Sequence, residues 1–600
     1  MREFATPLVS DVADSATLLD DVEANAREHP DAVSFSRRAG ETWEDVTAGE
    51  FLVQVRALAK GFVAAGMAHG DRVALMAKTR YEWTLVDYAV WYAGGVTVPI
   101  YVTSAPDMVD WLLADSGARF AVVEQSAHAA RLTEPAGRAA VVESIWTIEP
   151  DADGAADIAG LVARGESASD AGLDERRTAV TADDVATIVY TSGTTGRPKG
   201  CVLTHRNFLV ELEGTTAELH ELFESDDAAT LLFLPLPHVF ARIVQVGAVK
   251  NRVRLGHTAD VRHLVDDLES FAPTFVLAVP RMFEKIFNTA SQRATVDGRG
   301  RMFDRATDVA IAYSRALDDG RPGPVLRAQH RVLDRLVYQR LRASLGGRCR
   351  WAISGGAPLG ERLGHFFRGI GIPVLEGYGL TETAGAVTVN LPDAMRIGTV
   401  GRPVPGATVR VSDDGELLIA GDLVFRGYWG DEAATAEVLG EAGWLHTGDL
   451  GEIDEEGFVR VTGRRKEILV TSGGKNVAPA VLEDRIRAHP LVSQCMVVGD
   501  GRPYVAALVT LDPDAFAVWR SQRDKHGDLA ALATDPDLVA DVQQAVDGAN
   551  TAVSRAESIR RFAILSVDWT EESGELTPSL KVRRNLVMRE FRREIADLYD

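Results

Sequence analysis

One third of the way along the chain, a polar segment interrupts two apolar stretches: Tyr190-Thr-Ser-Gly-Thr-Thr-Gly-Arg-Pro-Lys-Gly200. Before it, Asp184-Val-Ala-Thr-Ile-Val-Tyr190 is rich in β-branched residues and reads as a buried strand. After it, Cys201-Val-Leu-Thr resumes strand character, and Thr204-His-Arg-Asn-Phe opens a helix. Gly193 and Gly196 let the backbone turn sharply and approach a ligand without a Cβ in the way. Thr191, Ser192, Thr194 and Thr195 offer hydroxyls, and Lys199 a positive charge, to phosphate oxygens. The loop is not of the Walker A type, because no Gly-Lys-Ser/Thr follows at the required spacing. A plain surface loop is the alternative, but a Pro-Lys-Gly ending between two apolar strands favours phosphate binding.

Six hundred residues are too many for one core, so at least two domains are expected. From Phe51 to Gly66 and from Glu82 to Tyr92 apolar residues recur at helical spacing; Asp71–Ala77 and Gly94–Ile100 read as strands. Such alternation predicts an α/β architecture with helices on both faces of its sheets. Residues 150–183, rich in Ala, Asp, Gly and Ser, read as a surface excursion. From about residue 465 the pattern shortens into a smaller α+β unit. Gly457–Gly463 and Glu467–Ser472 read as a strand pair, and Pro479–His489 as a helix.

A net charge of −23 argues against nucleic acid as a partner. The three cysteines, Cys201, Cys349 and Cys495, lie far apart and suggest neither a metal cluster nor a disulfide framework. No apolar run reaches the ~18–20 residues of a membrane span, and the N-terminus lacks a signal-peptide pattern, so a cytoplasmic protein is expected. One basic stretch stands out in this acidic chain. Residues 281–350 hold fifteen Arg and Lys against seven Asp and Glu, a difference of 15 − 7 = 8. A solvated helix face is the favoured reading of Val325–Leu341; contact with anionic headgroups or coenzyme A phosphates is the alternative.

Further motifs follow in order: Leu234-Pro-Leu-Pro-His-Val-Phe-Ala-Arg242, Val279-Pro-Arg-Met-Phe-Glu-Lys-Ile-Phe287, Ser354-Gly-Gly-Ala-Pro358, Glu376-Gly-Tyr-Gly-Leu-Thr-Glu382, Trp444-Leu-His-Thr-Gly-Asp449, Gly463-Arg464, Ser472-Gly-Gly-Lys-Asn476 and Leu576-Thr-Pro-Ser-Leu-Lys581. Together with the loop at 190–200 they resemble the adenylate-forming superfamily, in its long-chain fatty acyl-CoA synthetase branch. The resemblance implies a large α/β N-terminal domain over 1–464, with mixed sheets and a small β-rich subdomain, and a mobile α+β domain over 465–600.

It also implies roles. Thr191–Gly196 and Lys199 would bind the triphosphate. Gly355, Gly356 and Ala357 with Glu376, Gly377, Tyr378 and Gly379 would form an adenine slot. Thr381 would touch the α-phosphate; Glu382, with Thr191, would hold Mg²⁺, since a hard cation needs few protein carboxylates when phosphates supply oxygens. Asp449 would bind the ribose hydroxyls and Arg464 the ribose and phosphate. Lys466 would be the hinge. Lys581 would stabilise the first transition state, with Arg583 and Arg584 as competitors, because many relatives carry glycine where this chain has Leu580. Gly473, Gly474 and Lys475 would line a coenzyme A channel once the small domain turns. His238 and Phe240 would border the acyl pocket; a carboxylate needs no deprotonation near neutrality, so a general base is not required of His238.

The expected reaction activates a medium- or long-chain fatty acid with ATP to an acyl-adenylate and then passes the acyl group to coenzyme A. A fatty acyl-AMP ligase serving a carrier protein, or an aryl or other carboxylate ligase, is the alternative. Partners are then the fatty acid, ATP and coenzyme A, with a homodimer and peripheral membrane contact left open.

Overall fold

A computed structural model describes residues 2–40, 42–133, 142–150, 156–191, 197–223, 225–260, 263–440, 443–577 and 580–600. The loop residues Ser192, Gly193, Thr194, Thr195 and Gly196 therefore lie outside the described residues.

The apolar stretches around that loop pair as an antiparallel hairpin, Val185–Thr191 against Lys199–Thr204, with Thr191 opposite Lys199. The hairpin joins a seven-stranded sheet, whose strands Val96–Pro99, Arg72–Met76, Phe120–Val123 and Ser144–Thr147 run parallel to Val185–Thr191, as strand–helix alternation predicts. Gly427–Tyr428 closes its edge against the hairpin. Thr204 caps the helix His205–Glu218: its hydroxyl accepts from Asn207 N–H, and the Asn207 side chain accepts from Thr204 N–H.

A second sheet orders Phe275–Ala278, Trp351–Ser354, Val374–Leu380, Gly385–Val389 and Arg402–Pro403, parallel through its first three strands and antiparallel thereafter. A four-stranded sheet and an antiparallel five-stranded sheet complete this part. Its main buried cluster runs from Leu18 to Val459. The smaller C-terminal part has a three-stranded sheet, Val492–Val498, Ala506–Leu511 and Arg561–Ile564, with one buried cluster between Val477 and Ile559 and another between Met496 and Leu598.

Three local expectations change. Val459–Arg464 pairs with Leu445–Ile453 in the five-stranded sheet, not with the segment that follows it; Leu469–Val470 pairs instead with Asn476–Val477. Within 150–183 two helices, Ile158–Gly165 and Asp170–Ala179, form where an excursion was expected. The first packs so tightly on the helix Ala48–Ala64 that a Cβ on Gly61 would lie 2.3 Å from the Leu161 carbonyl oxygen. The basic helix runs through a π-turn, Asp334–Tyr338, between Pro324–Leu333 and Gln339–Ala343. No helix among the described residues is long and apolar enough to cross a membrane.

Candidate active site

Most of the predicted motifs meet at one cavity of about 3010 Å³ between the two parts of the chain. Lining it are Thr191, Lys199, His238, Phe240, the Gly355–Ala357 turn, Glu376–Gly379, Thr381, Glu382, Asp449, Arg464, Lys466 and Lys581. These residues span most of the sequence, so the fold, not sequence proximity, assembles them.

One corner is built within the large part. Asp449, 3% exposed, stands opposite Arg464 in the paired strands Leu445–Ile453 and Val459–Arg464. Arg464 Nε donates to Asp449 Oδ1 at 2.8 Å, and the Tyr378 hydroxyl donates to Oδ2 at 2.7 Å. Burial, then the Asp449 charge, raise the Tyr378 pKa well above its ordinary value, so the tyrosine stays a donor. Gly379 is required by close approach: a Cβ there would fall 1.8 Å from the Gly385 carbonyl oxygen. Leu359 N–H donates to Glu376 Oε1 at 3.0 Å, tying the 355–359 turn to the Glu376–Gly379 strand. Burial pushes the Glu376 carboxyl up to about 7, against the Leu359 bond.

A second corner contains a residue that sequence reasoning missed. The Tyr428 hydroxyl donates to Glu382 Oε1 at 2.8 Å, and Lys199 Nζ lies 5.0 Å from the centre of the Tyr428 ring. Tyr428 thus spaces the lysine from the carboxylate. The available signal was Gly427-Tyr-Trp-Gly430, two aromatics between glycines; at Gly427, φ is +139° and a Cβ would press 2.8 Å from Thr435. The Cys201 thiol is buried beneath this corner. Its pKa rises through burial, then through Glu382, against a bond to Thr191. Among the described residues no three His, Cys, Asp or Glu gather as a metal cluster. Glu382 and Thr191 both line the cavity, and one carboxylate with one hydroxyl suits a divalent cation that keeps phosphate and water ligands, and would not suffice for a cage made of protein alone.

One wall of the cavity is the N-terminus of the helix Val239–Lys250. His238 caps it, Nδ1 accepting from Phe240 N–H at 3.2 Å. Burial, then nearby Lys581, bring the His238 pKa down to about 4, so the ring is neutral and the cap persists at physiological pH. The Phe240 ring lies 3.5 Å from where a Gly355 Cβ would be, joining the helix N-terminus to the glycine turn. Arg242, on the same helix and fully buried, donates to both Asp87 oxygens at 2.8 Å and to Thr187 at 3.0 Å. Sequence reasoning had stopped at the motif and missed this anchor.

Lys581 enters from the small part. Its side chain is open to the cavity but deep between the two parts; burial, then Arg464, lower its pKa, while Asp449, Glu467 and Glu382 raise it. These four charges belong to the two corners and the segment joining the parts. Arg584 is held within the small part by Glu483 at 2.7 Å and the Val497 carbonyl at 2.6 Å. Leu580 adopts φ +61°, a left-handed conformation that glycine takes without strain and leucine does not. The Gly473–Lys475 loop does not line the cavity: Ser472 N–H donates to the Arg502 carbonyl at 2.8 Å, and Lys475 pairs with Glu557 at 3.4 Å.

Comparison with known proteins places the chain in a family. Residues 22–429 match the model of the AMP-binding enzymes, and 466–600 that of the AMP-binding enzyme C-terminal domain. The chain is 48% identical to a protein of Mycobacterium bovis named long-chain-fatty-acid–CoA ligase FadD15, covering 100% of both. It is 32% identical to the Arabidopsis thaliana protein named long chain acyl-CoA synthetase 6, peroxisomal, over 92% of this chain and 81% of that one. In fold it resembles the adenylation domain of a carboxylate reductase from Mycobacterium chelonae, with a TM-score of 0.74 at 22% identity over 97% and 91% of the two chains. It also resembles the o-succinylbenzoate coenzyme A synthetase of Bacillus subtilis solved with ATP and magnesium, at a TM-score of 0.66 and 20% identity over 94% and 98%. The chain belongs to the AMP-binding, adenylate-forming enzymes, in the branch of the long-chain acyl-CoA synthetases.

Proposed function

We propose that the protein is an ATP-dependent long-chain fatty acyl-CoA ligase that works in two half-reactions at the one cavity. The observation that carries this is the meeting of Lys581 with the Asp449–Arg464–Tyr378 corner at a cavity that continues past His238 and Phe240 into apolar walls such as Leu212, Val244 and Ala248. The names of the relatives support the fatty acid and coenzyme A.

In the first half-reaction an oxygen of the fatty-acid carboxylate bonds to the α-phosphorus of ATP, and pyrophosphate leaves. Charge builds on phosphoryl oxygens, so the residues act by position and by cationic stabilisation. Asp449 and Arg464 hold the ribose, and Tyr378 flanks the adenine while its hydroxyl keeps Asp449 oriented. Thr381 bonds the α-phosphate, Lys199 and the loop Thr191–Gly196 grip the outer phosphates, and Lys581 faces the reacting phosphorus. Mg²⁺, carried by the nucleotide, would be held by Glu382 with Thr191 and would neutralise phosphate charge. Neutral His238 places no charge near the incoming carboxylate and leaves it as nucleophile.

In the second half-reaction the small domain, 465–600, turns about Lys466 and withdraws Lys581, and Gly473, Gly474 and Lys475 come to the cavity as a pantetheine channel. The thiol sulfur bonds to the acyl carbon as the bond to AMP breaks. The seating of the Ser472–Asn476 loop away from the cavity, with Lys581 in it, fits the first pose. The basic stretch 281–350 exposes Val325, Val332 and Leu336 among its arginines, which supports peripheral contact with an anionic lipid surface as the route of fatty-acid entry. Pyrophosphate release screened over fatty acids of graded length, with and without coenzyme A, tests the assignment. A preference for long chains and coenzyme A-dependent AMP turnover is expected; carboxylic acids that never elicit pyrophosphate would overturn it.

A further inference from the structure

We propose that Arg281 is a positioning residue of the first half-reaction: it fastens the small domain, through Ser493 and Asp568, in the pose that keeps Lys581 in the nucleotide corner. The inference rests on the two-step reading above. Arg281 lies in the first turn of the helix Pro280–Val296, in the large part of the chain. Its Nη1 donates to the Ser493 carbonyl at 2.7 Å and its Nη2 to Ser493 Oγ at 2.9 Å. Ser493 stands in the strand Val492–Val498 of the small part, so both bonds cross the junction.

From Ser493 the bonds continue to the lysine loop. Ser493 Oγ donates to Asp568 Oδ2 at 2.7 Å, while Asp568 Oδ1 accepts from Thr510 Oγ1 at 2.6 Å and from Trp569 N–H at 2.9 Å. Trp569, 1% exposed, packs in the cluster with Leu576 and Val587. Leu576 N–H donates to the Thr570 carbonyl at 3.0 Å, and Thr577 N–H to the Lys581 carbonyl at 2.8 Å. Arg281 and Lys581 are thereby joined by one series of hydrogen bonds and packed side chains.

Among the described residues, and beyond the hinge segment where Arg465 pairs with Asp414 and Glu416, two other hydrogen bonds cross the junction differently. Arg362 Nη2 donates to the Ala488 carbonyl at 2.9 Å, at the end of a helix remote from the lysine loop in this bond series. The Thr103 hydroxyl donates to the Glu571 side chain, touching the loop directly. Only Arg281, of these three, uses a two-donor fork that matches two acceptors on one residue, which fixes direction as well as distance. When the domain turns, Arg281 and Ser493 both return to water, so the clamp can open at each cycle without leaving a buried group unpaired.

The test separates the half-reactions in the full-length protein. Arg281→Ala should slow pyrophosphate release from fatty acid and ATP by about ten- to a hundredfold, the loss expected for a misplaced catalytic group. Thioester formation from preformed acyl-adenylate and coenzyme A should stay within about twofold of the parent, since that step needs the other pose. Arg281→Lys, with a point charge in place of the fork, should recover part of the first rate, and Ser493→Ala should show a smaller loss in the same direction. Equal loss of both half-reactions, or no loss of the first, would overturn the proposal. If Arg281→Ala does not fold, Arg281→Lys and Ser493→Ala decide, and an unsplit profile in both overturns it. Failure of the parent to form pyrophosphate at all would instead refute the functional reading, so the two failures are distinguishable.

Discussion

The Asp449 corner and the Lys581 loop meet in one cavity but are built in opposite ways. Asp449 is 3% exposed and accepts from Arg464 and Tyr378, both supplied by the same large part of the chain. Lys581 is open to the cavity, next to a leucine in the left-handed region, and hydrogen bonds such as Arg281 to Ser493 hold its domain to the large part. On the proposed two-pose reading, the contrast teaches how one cavity can serve two chemistries: the groups assigned to both half-reactions are fixed by internal bonds, and the group assigned only to the first is carried on the smaller part.

The strongest way to break the comparison is Lys581→Ala. Pyrophosphate release from acid and ATP should fall by about 10²–10³-fold, the scale for removing one transition-state charge stabiliser, while thioester formation from preformed acyl-adenylate is spared. Equal loss in both assays would place Lys581 with the fixed groups. Asp449→Asn is the counterpart. Both half-reactions bind the adenosine, so both should slow, by about tenfold or more for one charge-assisted bond lost; a loss confined to one of them would remove the distinction.

Glu211 sharpens the picture of the fixed side. Ala386 N–H donates to its Oε1 at 3.1 Å, behind the Thr381–Thr383 turn, and burial pushes its carboxyl up to about 8. An unfolded glutamate titrates near ~4.3. The raised pKa means that its contribution to stability is full below the unfolded value and is lost as pH rises through about 8. Glu211→Gln keeps the neutral shape, so its melting temperature should gain on the parent between pH 5 and pH 8, by about 1 °C for each kcal/mol in a unit of this size. A difference that shrinks with rising pH would contradict the assignment. The smallest effect is expected beside Lys581. Leu580→Gly should relieve the φ +61° strain and raise stability by at most ~1 kcal/mol, because glycine's extra unfolded-state freedom offsets part of the gain. A clear loss of stability would show that the leucine side chain contributes more than its backbone costs.

Much of this was legible in the residues. The β-branched run before Thr191 and the helix opened by Thr204 could be placed because each carries its pattern within a few residues. GYGLTE and HTGD could be joined to one site only through the family resemblance, since nothing in their spacing shows that Tyr378 meets Asp449 across 71 positions. Tyr428 went unnoticed because an aromatic between glycines has no periodicity to read. Arg242 with Asp87, and Arg281 with Ser493, are separated by 155 and 212 positions, and such pairings are set by tertiary packing. The strand Val459–Arg464 was paired with the wrong neighbour for a related reason: register with Leu445–Ile453 decides its partner, and the next segment already lies past the turn into the small part.

Rapid mixing of the parent enzyme with magnesium, ATP and a long-chain fatty acid, with coenzyme A withheld, tests the central claim most directly. A fixed nucleotide corner and a withdrawable lysine predict a burst of pyrophosphate equal to the concentration of active sites, followed by steady AMP release only when coenzyme A is added. Continuous pyrophosphate release without coenzyme A at the full turnover rate, or no burst at all, would contradict it.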